Sequence, residues 1–315
     1  MRKVALVTGA EGFIGSNLVR LLHEKGWQVV GGYLLHGANS FPKLSGVEFV
    51  QCDLRNGERI AYVLRKFNPS TVFHLGAQSL PTVSWDDPVL TMESNVTGSV
   101  NLLEAMRRMR RPPVLVAACS SAEYGYVDKR AIPVTEDHSL LPLHPYGISK
   151  VCLDLLARQY FISFSLPAIR LRLFNTTGPG KTNDAPSDFV RQLARIKNGL
   201  QEPVVHVGNL SPHRAFLDVQ DAARAFFLAA ERGKRGEVYN VCGLRTYQMA
   251  EILRKAVNLA GIRAKILPAP GLVRPIDEKV IFGSTVRFRK DTGWKPLIPI
   301  ETTLKNMLDY WTRAS

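Results

Sequence analysis

Lys3-Val-Ala-Leu-Val-Thr8, followed at once by Gly9-Ala-Glu-Gly12-Phe-Ile-Gly15, decides how the chain is read. A short apolar run ends in three glycines at G-x-x-G-x-x-G spacing, and Ser16-Asn-Leu-Val-Arg-Leu-Leu22 continues at helical period. The order is strand, tight turn, helix N-terminus. Glycines there let the backbone approach a pyrophosphate, which sits on the turn amides at the positive end of the helix dipole. Three glycines alone also serve a plain turn; their place directly after a strand favours the phosphate reading.

Beyond that unit the hydrophobic period keeps switching. Gln28-Val-Val-Gly-Gly-Tyr33, Val47-Glu-Phe-Val-Gln-Cys52, Thr71-Val-Phe-His-Leu75 and Val114-Leu-Val-Ala-Ala118 read as strands. Helical stretches fall near 57–67, 91–109 and 147–164, and Ile169-Arg-Leu-Arg-Leu-Phe174 and Glu237-Val-Tyr-Asn-Val241 complete the strands. Such alternation means parallel βαβ units, so the expected fold is α/β, a Rossmann-type doubly wound parallel sheet. Segments 175–212 and 266–299, rich in Gly, Pro and polar residues, read as excursions from the sheet. Ligands in such folds lie at the carboxyl ends of the strands, where these excursions would roof them. The expected division is a dinucleotide-binding domain over 1–174 and 213–242 and a smaller C-terminal substrate-binding lobe over 175–212 and 243–315.

The 315 residues suit two domains, or one large α/β unit with an appended lobe. At 45% hydrophobic residues and a mean hydropathy of −0.04 they can fill a sizeable core. No apolar run approaches the ~20 residues of a membrane span, and the first one, broken by glycines and an acid, is unlike a signal peptide. Cys52, Cys119, Cys152 and Cys242 lack metal-ligand spacing and read as small buried hydrophobes in a reducing cytoplasm, so no metal is expected. The formal charge of +14 gathers partly in Arg107, Arg108, Arg110 and Arg111, and in Arg232, Lys234 and Arg235. Both groups read as solvated helix C-termini favoured by the dipole. A nucleic-acid partner would want a basic stripe with interleaved aromatics or a reader helix, and neither is visible. A basic field does attract a dianionic nucleotide.

Tyr146 and Lys150, in Tyr-Gly-Ile-Ser-Lys, carry the chemistry. Their i, i+4 spacing puts phenol and ammonium on one helix face. A phenol titrates near pH ~10, and a cation beside it is expected to favour the phenolate and bring its pKa towards the working range. Alone the pair is a weak signal that many helices carry; its weight comes from the glycine turn and the alternation around it.

Taken in order, the motifs resemble the extended short-chain dehydrogenases that modify nucleotide sugars, over nearly the whole chain. The matching pieces are Thr8-Gly-Ala-Glu-Gly-Phe-Ile-Gly15, Asp53-Leu54, His74-Leu-Gly-Ala-Gln78, Asn95-Val-Thr-Gly-Ser-Val-Asn-Leu-Leu103, Ser120-Ser-Ala-Glu-Tyr-Gly125, Tyr146 to Lys150 and Arg172-Leu-Phe-Asn175. Within that family, Phe174-Asn-Thr-Thr-Gly-Pro-Gly180, Asp188-Phe-Val-Arg191, Val207-Gly-Asn-Leu210, Arg274-Pro-Ile-Asp-Glu278 and Thr292-Gly-Trp-Lys-Pro296 look most like the GDP-4-keto-6-deoxy-D-mannose reductase and GDP-mannose 4,6-dehydratase branches.

The resemblance implies roles residue by residue. Ser120, Tyr146 and Lys150 would be catalytic: the serine bonding the reacting oxygen, the tyrosine moving the proton, the lysine holding the nicotinamide ribose. NAD(P) would lie on Gly9, Glu11, Gly12, Phe13, Ile14, Gly15, Asp53, Leu54, Leu75, Gly76, Ala77, Asn95 and Phe174, besides Tyr146 and Lys150. The nucleotide diphosphate sugar, GDP-linked by resemblance alone, would meet Gln78, Ser121, Glu123, Asn175, Val190, Arg191, Lys197, Arg214, Arg274 and Glu278. Arg214 and Arg274 are the expected diphosphate forks; relatives read an acid where Ala215 stands, which weakens the orientation of Arg214. Plain surface charge reads Arg191 and Lys197 as well, a turn reads Asp53, and a strand-end backbone bond reads Ser120.

Dehydratase relatives hold a glutamate two positions before the tyrosine of the Tyr-Gly pair, sometimes after an aspartate, to take the C5 proton. Here those positions are Ala122 and Ser121, and Glu123 comes one residue later. On an extended segment a one-residue shift turns a side chain to the other face. Reduction of a C4 keto group is therefore the expected activity, with a 4-epimerase retaining NAD, a 4,6-dehydratase and a non-catalytic dinucleotide sensor as the rivals. The end of the second strand, Gly31-Gly-Tyr-Leu-Leu-His36, offers neither the acid that grips the 2′-hydroxyl of NAD nor an arginine for the 2′-phosphate of NADP. The missing acid, with His36, Lys43 or Arg55 as cation, tilts the expectation towards NADP(H). In relatives, helices equivalent to 91–109 and 147–164 form a four-helix homodimer interface. Leu102, Leu103 and Met106, and Leu153, Leu156 and Phe161, are the surplus apolar residues that suggest the same here, unless they merely pack on the sheet.

Overall fold

The computed structural model describes residues 3–34, 44, 46–269, 271 and 280–314. Its first half runs β1 (Val4–Thr8), α1 (Phe13–Glu24), β2 (Gln28–Tyr33), β3 (Val47–Gln51), α2 (Gly57–Phe67), β4 (Thr71–His74), α3 (Pro81–Asp86), α4 (Pro88–Met92), a π-turn over Glu93–Thr97, α5 (Gly98–Arg107), β5 (Val114–Ser120) and α6 (Pro145–Phe164). The second half runs β6 (Ala168–Leu173), β7 (Thr176–Thr177), α7 (Ala185–Lys197), β8 (Val204–Val207), β9 (His213–Ala215), β10 (Leu217–Asp218), α8 (Val219–Arg232), β11 (Val238–Val241), β12 (Thr246–Gln248), α9 (Met249–Ala260), β13 (Lys265–Pro268), β14 (Val280–Ile281), α10 (Val286–Thr292) and α11 (Ile300–Ala314).

Seven strands form one parallel sheet in the order β11-β6-β5-β4-β1-β2-β3. From β1 the chain winds outward through β2 and β3, then returns to β4 and winds the other way. The direction reverses between β1 and β4, the switch point where such sheets open a crevice. Burial on both faces explains why these strands read as nearly unbroken apolar runs. One face packs Val7, Phe73, Val116 and Ile169 against α1 and α8; the other packs Leu6, Val72, Leu115 and Ala117 against α2, α5 and α6.

A third core lies off the sheet, where α7, α9 and α11 join Phe189, Leu193, Ile252, Leu253, Leu304 and Met307 beneath β8. This is the lobe. The segment after 243 does not stay within it: Phe288 of α10 and the fully buried Trp294 return to the sheet core, where Tyr239 faces Phe288 at 5.0 Å. Proline and glycine signals in 266–299 hid a short helix, α10, which together with the residues just after it supplies aromatics to the sheet core.

The six residues expected at a dimer interface point inward. Leu102, Leu103, Met106 and Leu153 are buried in the second core, and Leu156 and Phe161 pack against it. The outward stripe on α6 is instead Ile148, Leu155 and Ile162, 44%, 51% and 60% exposed and seven residues apart.

Candidate active site

β1 delivers the glycine turn to the switch point. Gly9 has φ +67, and a Cβ there would lie 2.8 Å from the backbone of Gly76. At Gly15 a Cβ would sit 2.0 Å from the Gly9 carbonyl oxygen, so no other residue fits this close approach of helix to strand end. The Thr8 hydroxyl accepts the amides of Leu75 (3.2 Å) and Gly76 (3.1 Å) and bonds His74 Nδ1 at 2.9 Å. Burial, with Lys150 in the same direction, holds the His74 imidazole down at about 3, so it stays neutral and joins β1 to β4 structurally.

Along the strand ends runs a cavity of about 1170 Å³. Pockets for one drug-sized ligand hold ~300–1,000 Å³, so this one is large enough for two ligands meeting end to end. Gly9, Glu11, Gly12, Phe13, Ile14, Gly15, Asp53, Leu54, Leu75, Gly76, Ala77 and Phe174 line it, as do Gln78, Ser121, Asn175 and Arg214. Ser120, at the end of β5 between β4 and β6, lines it too, as do Tyr146 and Lys150 of α6.

α6 starts where the chemistry needs it. Pro145 occupies its first turn and the His144 side chain accepts the Gly147 amide at 3.0 Å, which sets Tyr146 at the helix mouth. Ser149 donates to the Tyr146 carbonyl at 2.7 Å and accepts from Asn95 at 2.9 Å. Tyr146 is bonded to Ser120, which draws the phenol pKa down, but burial dominates and pushes it up to about 12. The expectation that Lys150 brings this pKa down is corrected. The Lys150 ammonium donates to the Ala118 carbonyl at 2.9 Å and stands 5.8 Å from the Tyr146 ring centre. Burial also lowers the pKa of Lys150 itself. The cluster is thus an acid that keeps its proton at neutral pH, beside a cation and a hydroxyl.

Beneath it lies a buried ionic knot. Arg172 meets Asp154 at 3.0 Å and Glu123 at 3.2 Å, and Arg170 meets Asp154 at 2.7 Å. Glu123 Oε1 accepts the Ser120 amide at 2.7 Å while the Ser120 hydroxyl accepts the Ala122 amide at 3.1 Å, a reciprocal cap on the turn after β5. Burial, with Asp154 next, raises the Glu123 carboxyl well above its usual range against the pull of Arg172. Cys119, Glu123 and Asp154 bring ligand atoms within 4.8 Å of one another, but Arg172 already engages both carboxylates.

Several expected contacts are corrected. Glu123 is fully buried and turned away from the cavity, whereas Ala122 lines it. Ser121–Glu123 form a 3₁₀ turn instead of the expected extended segment, and the cap on Ser120 is what draws Glu123 inward. Asn95 is also buried; its amide clasps the Gln78 backbone (2.7 and 2.9 Å) from the π-turn and acts through that loop. The Gln78 amide itself is committed to Leu80 and Thr91. Val190 belongs to the lobe core, Arg191 is exposed and stacks over Trp311 at 5.0 Å, and Lys197 is exposed at the end of α7; none of the three lines the cavity. Arg274 and Glu278, with His36 and Lys43, lie outside the described residues. Arg55, the remaining candidate for a 2′-phosphate, is held by Asp53 through Nε and Nη2 (2.8 Å), which lowers the Asp53 pKa.

The sequence reading passed over one wall. Thr82, Trp85 and Asp86 of α3, His144 and Lys181 also line the cavity. Trp85 is 57% exposed although aromatic, and Lys181 lies 5.1 Å over Phe13. Proline-punctuated Ser79–Pro88 reads as a loop, and only the exposed tryptophan could have signalled a binding surface.

The residues present fit a pyridine dinucleotide. The glycine turn leaves no room for side chains, and two buried polar atoms of the lining, Glu11 Oε2 and Asn175 Nδ2, have no hydrogen-bond partner. Both face a cavity in which a ligand's polar groups can meet them.

Comparison with known proteins agrees. A family model described as GDP-mannose 4,6 dehydratase matches residues 6–307. The chain is 32% identical to the GDP-6-deoxy-D-mannose reductase of Pseudomonas aeruginosa over 77% of this chain and 80% of that protein. Among solved structures, RMD from Pseudomonas aeruginosa complexed with NADPH superposes with a TM-score of 0.86 at 28% identity, covering 99% of this chain and 100% of the other. The UDP-glucose 4-epimerase of Thermus thermophilus in complex with NAD does so with 0.88 at 30% identity, again over 99% and 100%. With the glycine turn, the switch-point cavity and the Ser-Tyr-Lys cluster, these matches mean that the chain belongs to the extended short-chain dehydrogenase/reductase family of NAD(P)-dependent nucleotide-sugar enzymes, of the GDP-mannose 4,6 dehydratase type.

Proposed function

We propose that this enzyme reduces the C4 keto group of a nucleotide-linked 4-keto-6-deoxy sugar. The observation that carries the reading is Ala122, a methyl group on the same cavity wall as Tyr146, where dehydratase relatives keep their base. NAD(P)H, when bound, supplies the hydride to C4. Tyr146 gives its proton to O4, so one hydride and one proton convert the ketone to an alcohol. Ser120 bonds the same oxygen, and the Lys150 ammonium stabilises the charge that develops there and on the phenol.

Glycine-turn amides and the N-terminus of α1 hold the dinucleotide diphosphate. On the sugar-nucleotide side, Asn175 has an unmatched buried donor and Arg214 supplies a guanidinium. The GDP linkage rests on similarity to the Pseudomonas reductase and the family model. Four free thiols, three of them buried, suit a reducing cytoplasm. Among the described residues no helix is long and apolar enough to cross a membrane. The outward stripe of α6 supports a homodimer.

The test is turnover with GDP-mannose and, separately, its 4-keto-6-deoxy derivative, each with NADH and NADPH. The reading expects oxidation of the reduced cofactor only with the keto sugar. Conversion of GDP-mannose would make the enzyme a dehydratase, with a base other than the buried Glu123, and tightly copurified NAD with no net oxidation would make it an epimerase.

A further inference from the structure

Glu11 stands between Gly9 and Gly12, and its side chain crosses to the end of β2, where Oε1 accepts the Leu34 amide at 2.8 Å. Its other oxygen, Oε2, is buried without a hydrogen-bond partner. The residue lines the cavity together with Tyr33, Leu34, Cys52 and Asp53. These come from the ends of β2 and β3, the part of a doubly wound sheet that receives an adenosine ribose. β2 itself ends without an acid.

We infer that Glu11 supplies, from the glycine turn, the carboxylate that β2 lacks, and that this makes the enzyme prefer NAD(H) to NADP(H). Oε2 accepts the 2′-hydroxyl of the adenosine ribose. A 2′-phosphate brings no donor for that oxygen and sets like charges against each other at a partly buried place. The described guanidinium on this wall, Arg55, is already gripped by Asp53. This preference is the opposite of the tilt towards NADP(H) drawn from the missing acid of β2. Glu11 is also close enough for its charge to contribute to raising the Cys52 thiol to about 11, behind the larger effect of burial.

The inference rests on reading the cavity as a dinucleotide site, and equilibrium binding separates the two. NADH and NADPH are titrated by calorimetry into the wild type, Glu11→Gln and Glu11→Arg, with thermal melting of each protein alongside. Glutamine keeps an oxygen for the Leu34 amide, so the turn persists. The wild type is expected to bind NADH at least about tenfold more tightly than NADPH, the worth of one charge-assisted hydrogen bond. Glu11→Gln narrows that ratio towards one, and Glu11→Arg inverts it. Equal or tighter NADPH binding by the wild type, or an unchanged ratio in a folded Glu11→Gln protein, would overturn the role of Glu11. Failure of the wild type to bind either nucleotide would overturn the dinucleotide reading itself.

Discussion

At the scale of single residues, the account stands on which group carries the proton. Tyr146→Phe keeps the packed ring and removes the donor, so kcat for keto-sugar reduction should fall by ~10²–10⁴-fold while the NADH dissociation constant stays unchanged. A phenol whose pKa is raised to about 12 stays protonated below that value, so the acid for reduction is present throughout neutral pH. Reductive kcat should therefore show no descending limb between about pH 6 and 9, and a limb near neutrality would mark a depressed phenol. Removing Glu123 strands the buried Ser120 amide, while Arg172 keeps Asp154. Glu123→Ala is expected to cost ~1–3 kcal/mol in thermal or urea unfolding; an unchanged melting temperature would contradict the buried cap. That Tyr146, Lys150 and Ser120 come together on one cavity wall was readable because motif spacing reports which residues share a helix face or a strand end. The direction of the Tyr146 shift was not, because burial depends on everything folded around the phenol. Val190, Arg191 and Lys197 were misplaced for a similar reason: sequence gives a helix its period but not the face it turns to a cavity.

Elements were easier to read than their outward faces. The helix expected at 57–67 matches α2, and β2 carries the expected bounds, since strong periodicity and turn residues mark both. The π-turn at Glu93–Thr97 was invisible, as no local signal announces one extra residue per turn. It nonetheless aims Asn95 at Gln78 and Ser149. The glycine turn gives a sharp prediction at this scale. Gly15→Ala forces a methyl onto the Gly9 carbonyl, so overpacking of ~1–3 kcal/mol should appear in unfolding together with weakened NADH binding, and wild-type affinity would refute the tight approach. Residues expected at a dimer interface proved to be core because apolar content does not say which apolar residue faces the sheet. The apolar residues that α6 does expose are Ile148, Leu155 and Ile162, the stripe proposed in their place. Leu155→Arg should convert a dimer into a monomer by light scattering at micromolar concentration, and a monomeric wild type would remove the interface altogether.

For the whole molecule, alternating strand and helix periods were enough to foresee a parallel doubly wound sheet with a cavity at its switch point, because both follow from connection rules rather than from side-chain detail. The return of Phe288 and Trp294 to the sheet core was not foreseeable from a proline-rich segment whose partners lie far away in sequence. The positive net charge suits an anionic substrate pair, and salt should raise KM for the sugar nucleotide more than it changes kcat, through screening. The central claim is that the enzyme moves a hydride to C4 and does not abstract the proton at C5. Its most direct test is product analysis by NMR and mass spectrometry after turnover of GDP-4-keto-6-deoxymannose with NADH or NADPH deuterated at both C4 positions, paired with GDP-mannose incubated in D2O. The account predicts one deuterium at C4 for each cofactor oxidised, and GDP-mannose recovered without deuterium at C5. A product lacking deuterium at C4, or a 4-keto-6-deoxy sugar formed from GDP-mannose with deuterium at C5, would contradict it.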